Sequence, residues 1–140
     1  MIIESEADVA RLLAGVKRVA VLGIKTEAQA GQPAFYVPQA LQDAGVEIVP
    51  VPVYYPDATE ILGQKVYRKL ADVPGSIDVV DVFRRPQDLE QHVEDILACR
   101  PKAVWLQSGI RHDGVARRLS AAGIQVVQDR CLMVDFRRFR

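Results

Sequence analysis

The sequence predicts an α/β domain built on an open, parallel five-stranded sheet with helices on both faces, in three layers. Three observations predict it. Five short apolar runs rich in Val and Ile recur along the chain, helical patterns separate them, and the connections are short. Parallel neighbours need crossover connections, and these are right-handed, so the alternation leaves few other architectures.

Ser5 caps a first helix over roughly residues 6–14, with Val9, Leu12 and Leu13 on one face. Arg18-Val19-Ala20-Val21-Leu22-Gly23 is the first strand, apolar enough to be buried on both faces. A polar loop from Ile24 to Pro33 leads into a helix with Phe35, Val37, Leu41 and Ala44 on one face, stopped at Gly45. Pro38 fits this helix if it begins near Phe35, where the missing N–H is a first-turn orphan. Val46 to Val51 is the second strand, followed by the proline-rich stretch Pro52 to Pro56, and the prolines predict an edge position or an end near Val49. Ile61 to Leu70 reads as a short irregular or helical passage. Ile77 to Phe83 is the third strand, and Pro86 then opens a helix over Asp88 to Cys99 that Arg100-Pro101 stops. Ala103 to Leu106 is the fourth strand. Asp113 caps a helix through Ala122, closed by Gly123, and Ile124 to Val127 is the fifth strand. No repeat, low-complexity stretch or linker interrupts the pattern, which predicts one domain over residues 1–140.

A chain of 140 residues buries a working core without disulfides or metals. Its 18 Lys and Arg balance 18 Asp and Glu, so no overall field draws it to nucleic acid or anionic membrane. Only Phe136 to Arg140 is locally basic, read as a solvated tail or a helix end carrying its cations at the C-terminus. No apolar run reaches the roughly 18–20 residues of a membrane span. The stretch Met1 to Glu6 carries acid where a secretion signal carries base, so the cytoplasm is the expected location. Cys99 and Cys131 imply no disulfide framework, and the two Cys and two His have no metal-ligand spacing.

In an open α/β sheet, ligands sit outside the carboxyl ends of the strands where the strand order reverses. For a Rossmann-like order 3-2-1-4-5 that point lies between strands one and four. There Gly23-Ile24-Lys25-Thr26 meets Gln107-Ser108-Gly109-Ile110, while Val51-Pro52-Val53-Tyr54 and Phe83-Arg84-Arg85 add to the same rim. Gly23 lets the main chain come close, the N–H groups opening the next helix favour anionic oxygens, and Lys25, Arg84 and Arg85 supply charge for phosphates. Tyr54, Tyr55 or Phe83 would lie against an adenine face. Each has a plainer role as packing, and an Arg pair at a strand end also serves as solvated surface. NAD fits poorly: no G-x-G-x-x-G follows the first strand, the next glycine is Gly31, and the first acid beyond the second strand is Asp57. A P-loop pattern is absent.

Four stretches then carry a resemblance: Val21-Leu22-Gly23, Asp81-Val82-Phe83-Arg84-Arg85-Pro86, Val104-Trp105-Leu106-Gln107-Ser108-Gly109 and Asp129-Arg130-Cys131-Leu132. Together with the passage Ile61 to Tyr67, they resemble the small stand-alone CoA-binding proteins over nearly the whole chain. The fold of that family is similar to the CoA-binding domain of the succinyl-CoA synthetase α subunit. The resemblance implies that Gly23, Ile24, Lys25 and Thr26 hold phosphates of coenzyme A, that Val51, Pro52 and Val53 flank the adenosine, and that Phe83 and Arg84 line the opposite side. It also implies that Gln107, Ser108 and Gly109 close the site near the pyrophosphate or pantetheine arm. The family usually has a small residue and a serine after the first glycine, where this chain has Ile24 and Lys25. It usually has V-N-P at the end of strand two, where this chain has Val51-Pro52-Val53; Lys25 would compensate by pairing with a phosphate.

The leading expectation is therefore a module that binds CoA or an acyl-CoA without chemistry of its own. Two alternatives stay open: a regulatory or interaction subunit that senses another adenine nucleotide, and a small acyl or redox enzyme using Cys131. The thiol follows Asp129-Arg130, and a neighbouring guanidinium activates a thiol; its plainer role is a small apolar filler after a buried strand. Asp129 and Arg130 read as ties between the strand end and nearby backbone, or to each other. His92 and His112 read as solvent-facing or capping residues.

Overall fold

The computed structural model describes residues 1–140. Eight strands form: β1 (Ile2–Ile3), β2 (Arg18–Leu22), β3 (Glu47–Val51), β4 (Glu60–Ile61), β5 (Gln64–Lys65), β6 (Val79–Val82), β7 (Ala103–Leu106) and β8 (Gln125–Val127). Five helices accompany them: α1 (Glu6–Leu13), α2 (Pro33–Asp43), α3 (Val93–Cys99), α4 (Asp113–Ala121) and α5 (Leu132–Phe139). The main sheet is parallel and Rossmann-like, with six strands in the order β1-β8-β7-β6-β2-β3. No helix is long and apolar enough to cross a membrane.

Two expectations about the sheet are corrected. A sixth strand, β1, pairs with β8 through Ile2 and Ile3, a segment too short to show a period. The five expected strands run 2-1-3-4-5 rather than 3-2-1-4-5, because β6 pairs with β2 from Val19↔Val79 to Leu22↔Val82. The reason lies in β3. An order with β3 between its neighbours puts Pro50, which has no N–H, inside a central strand. In the structure β3 pairs only with β2 and lies at the edge, as its prolines predicted, and it runs on to Val51. The passage after it opens with a small hairpin, β4 against β5, rather than the irregular or helical stretch expected from Ile61 to Leu70. Its returning chain covers the β3 edge through Tyr67 N–H donating to Pro50 O.

Each face of the sheet buries its own cluster. Val19, Val21, Val79 and Trp105 pack against Val9 and Leu13 of α1, Phe35, Val37 and Leu41 of α2, and Leu132 and Phe136 of α5. On the other face Val80, Val82, Val104 and Leu106 meet Val93 and Ile96 of α3 and Val115, Ala116 and Leu119 of α4. The three layers are as expected.

The helix starts follow capping chemistry with two departures. Ser5 caps α1, its Oγ accepting from Asp8 N–H at 3.2 Å. The cap of α4 is His112, whose Nδ1 accepts from Val115 N–H at 3.0 Å, and not Asp113. The second departure is α2, which begins at Pro33 and so leaves Pro38 inside the helix. The helical acceptor for residue 38 is the Ala34 carbonyl; it takes the Lys25 N–H instead, at 3.1 Å. The basic C-terminus is the end of α5, held to α1 by Arg138 with Glu6 at 2.7 Å.

Candidate functional site

With β2 and β6 adjacent, the reversal of strand order falls between them, beside Gly23 and Phe83, and not between the first and fourth strands. Gly23 has φ +88°, and a Cβ there would overlap the Phe83 carbonyl oxygen. The glycine is thus required first by the chain's own strand ends, which approach too closely for any side chain.

A cavity of about 490 Å³ opens at this end of the sheet, on the face covered by α2 and α5. Of the expected site residues it gathers Lys25, Phe83, Arg84, Gln107, Ser108 and Gly109 in its wall. Gly23, Ile24, Thr26, Val51, Pro52 and Val53 stand outside it. Ile24 and Val51 are buried in the core, each 1% exposed, and Val53 is exposed at the end of β3. Sequence reasoning missed the α2 half of the wall, from Gln32 to Val37, because that segment was divided between a loop and a later helix start. The available signal was Pro33, a proline at the first position of a helix.

Charge is distributed across the strand ends in order. Lys25, after β2, meets Gln32 Oε1 and no carboxylate. Arg84 and Arg85, after β6, share Asp88: Arg85 Nε lies 2.9 Å and an Arg84 Nη 3.9 Å from the same oxygen. Arg84 Nε also donates to His92 Nε2 at 3.0 Å, which needs the neutral imidazole. Burial, with the Arg84 charge beside it, holds the His92 pKa below its ordinary value. Three cations thus reach the cavity, and none of the residues in its wall is acidic.

Beyond β7 and β8 the wall is uncharged and held by the Asp129-Arg130-Cys131 turn. Asp129, in a left-handed conformation, accepts the Gly109 N–H at 2.7 Å. Trp105 Nε1 donates to Arg130 O at 2.7 Å. Arg130 makes a two-point pair with the buried Asp135, so its guanidinium is committed to α5. Asp129 and Arg130 are therefore ties to nearby groups but not to each other. Gln107 is 4% exposed, and its Oε1 accepts the Leu132 N–H that opens α5, at 3.0 Å. Its Nε2 has no acceptor within the protein. Cys131, at the cap position of α5, is half-buried and lines the cavity. Cys99 lies elsewhere, packed on the opposite core, where burial pushes its thiol pKa up.

Beneath this floor lies an acid without a partner. Asp81, two residues before Phe83 in β6, is fully buried between Val21 and Trp105. Both carboxyl oxygens lack a hydrogen bond, and burial raises its pKa well above the ordinary value.

Comparison with known proteins now gives this geometry a lineage. Residues 17–137 match the family described as the CoA binding domain. The chain is 34% identical over 130 residues to YneT, an uncharacterized protein of Bacillus subtilis (strain 168), covering 93% of each. Among solved structures, it superimposes with a TM-score of 0.88 on the cell-free ID.343 protein of Thermus thermophilus, at 39% identity, over 98% of this chain and 100% of that one. A likeness in fold alone extends to an acetyl-coenzyme A synthetase of Ca. Korarchaeum cryptofilum, with a TM-score of 0.67 at 20% identity over 79% of this chain and 25% of that one. Matched over most of its length by one family and over more than nine-tenths of it by the Bacillus and Thermus relatives, the chain belongs to the CoA-binding domain family.

Proposed function

We propose that the cavity holds CoA or an acyl-CoA by its nucleotide end and that the chain performs no catalysis with it. One observation carries this reading: Lys25, Arg84 and Arg85 converge on a cavity with no carboxylate in its wall, in a chain whose total charge is zero. A polyanion gains there what a neutral ligand cannot. The open start of α2, where Ala34 N–H has no protein acceptor, adds a second favourable environment for phosphate oxygens.

In this reading the Gly23–Thr26 loop receives phosphates through the Ile24 N–H and the Lys25 ammonium, because the N–H groups of Gly23, Lys25 and Thr26 already donate to Val51 O, Ala34 O and Gln29 Oε1. Ile24 offers only its backbone, because its side chain belongs to the core. Phe83 and Arg84 line one side, and Val51, Pro52 and Val53 flank an adenosine that extends past the cavity along the strand ends. Gln107, Ser108 and Gly109 border the pantetheine arm. Two free thiols accord with work in the reducing cytoplasm.

Calorimetric titration with CoA, acetyl-CoA, NAD and ATP tests the reading. CoA and acetyl-CoA should saturate one site, and heat from NAD or ATP alone would overturn it. Lys25→Ala should weaken CoA binding roughly 5- to 30-fold, the loss of one partly solvated charge-assisted hydrogen bond. Unchanged affinity would remove Lys25 from the phosphate site.

A further inference from the structure

We propose that Cys131 is a thiol–disulfide exchange site for CoA, at which the pantetheine sulfur of a bound CoA becomes joined to Sγ in a mixed disulfide. The inference rests on the reading that the cavity holds CoA. Crossing the strand ends from β2 to β8, the cations Lys25, Arg84 and Arg85 come first and the uncharged Gln107, Ser108 and Cys131 come last. A ligand with phosphates at one end and a thiol at the other matches that gradient in one direction only.

A second feature at the thiol end points to a ligand independently of the cysteine. Gln107 is 96% buried, its Oε1 is committed to Leu132 N–H, and its Nε2 donor is left for whatever enters the cavity. That donor opens onto the cavity with no acceptor from the protein, and an amide carbonyl of the pantetheine arm can take it. Arg130 is occupied by Asp135, so this end offers no charge that would draw a phosphate instead.

The step balances with CoA disulfide as the co-reactant. The Cys131 thiolate attacks one sulfur of CoA disulfide, the S–S bond of that molecule breaks, and an Sγ–S bond forms. One CoA stays attached, and the other leaves as a thiolate that takes up the proton Cys131 lost. A further thiol reverses the step. No other oxidant is needed.

The test incubates the reduced full-length protein with CoA disulfide, and separately with glutathione disulfide, followed by intact-mass measurement and peptide mapping. One CoA per chain should attach at Cys131, at least about tenfold faster than glutathione, because binding raises the local concentration of the reacting sulfur. Acetyl-CoA, which binds without a free thiol, should slow the reaction. Cys131→Ser, a residue well suited to a helix cap, should abolish the adduct and keep the helical circular dichroism, whereas Cys99→Ser should react as wild type. Equal rates for the two disulfides, or attachment at Cys99, would overturn the inference. Acetyl-CoA binding by calorimetry without any CoA adduct would overturn it while leaving the CoA-binding reading intact; absence of that binding would bring down both.

Discussion

The main-chain N–H of Lys25 donates to the Ala34 carbonyl at 3.1 Å, and Pro38 is what leaves that carbonyl free. A proline inside a helix removes one hydrogen bond, normally at a cost of about 3 kcal/mol. Here the vacated acceptor ties the loop after β2, which carries Lys25, to the start of α2, which forms the neighbouring part of the cavity wall. Pro38→Ala supplies a competing donor four residues along the helix. The Lys25 amide should then exchange its hydrogen faster, and CoA affinity should fall about fivefold, the worth of roughly 1 kcal/mol. Native-state hydrogen exchange and calorimetry read the two effects. Unchanged exchange at Lys25 would mean that the carbonyl serves both donors.

Gly23 answers to a stricter constraint than ligand access. At φ +88°, with the Phe83 carbonyl inside the space of a Cβ, an alanine must both adopt a left-handed conformation and push two central strands apart. Gly23→Ala should destabilise the fold by roughly 1–3 kcal/mol or more, measured by urea unfolding. Gly31→Ala, where a Cβ meets nothing within 4 Å, serves as the comparison and should unfold near the wild-type midpoint. Equal midpoints for the two variants would show that the strand ends yield without cost.

The hydrogen bond from Arg84 to His92 makes the cation-bearing wall sensitive to acid. His92 accepts at Nε2 only while neutral, and its pKa is lowered by burial and by the Arg84 charge. The unfolded chain, with an ordinary His pKa near about 6.5, therefore binds a proton before the folded one does. Stability is fully present above that value and falls as the pH drops toward the lower folded pKa. His92→Gln keeps an acceptor for Arg84 without titrating. Unfolding curves from pH 8 to 5 should fall more steeply for wild type than for the variant, and parallel curves would remove His92 as the cause.

Much of this was legible in the sequence because its signals are local. Val-rich runs ending at Gly23, Phe83 and Gln107 mark strands whatever their neighbours are, and they place the three loops that meet at the cavity. Strand order was not local. It depends on which side of the sheet each crossover takes, and Pro50 was the one residue that bore on it, since only an edge tolerates it beside β2. The α2 wall was lost through one boundary: Pro33 reads equally as loop residue or helix start until Lys25 is seen to use the Ala34 carbonyl. Tyr54, expected against an adenine face, and Val53, expected to flank the adenosine, stand exposed at the end of β3 and outside the cavity, a separation that residue type does not reveal.

Asp81 combines a central strand position with a carboxyl that nothing in the protein satisfies. An acid with a raised folded pKa stabilises the fold fully below its unfolded value, near about 3.9, and loses that contribution as the pH rises through the folded pKa. Wild type should therefore become less stable with rising pH over that window, against the trend that His92 imposes. Asp81→Asn carries an uncharged group of nearly the same shape and removes the slope. At pH 8 the variant should be at least as stable as wild type, with the difference shrinking or reversing below about pH 4, where both side chains are neutral. Urea unfolding of the two proteins at pH 4, 6 and 8 measures this directly. A variant less stable by the same amount at every pH would show that Asp81 is held by a partner, such as a buried water, and does not lie unsatisfied beneath the cavity.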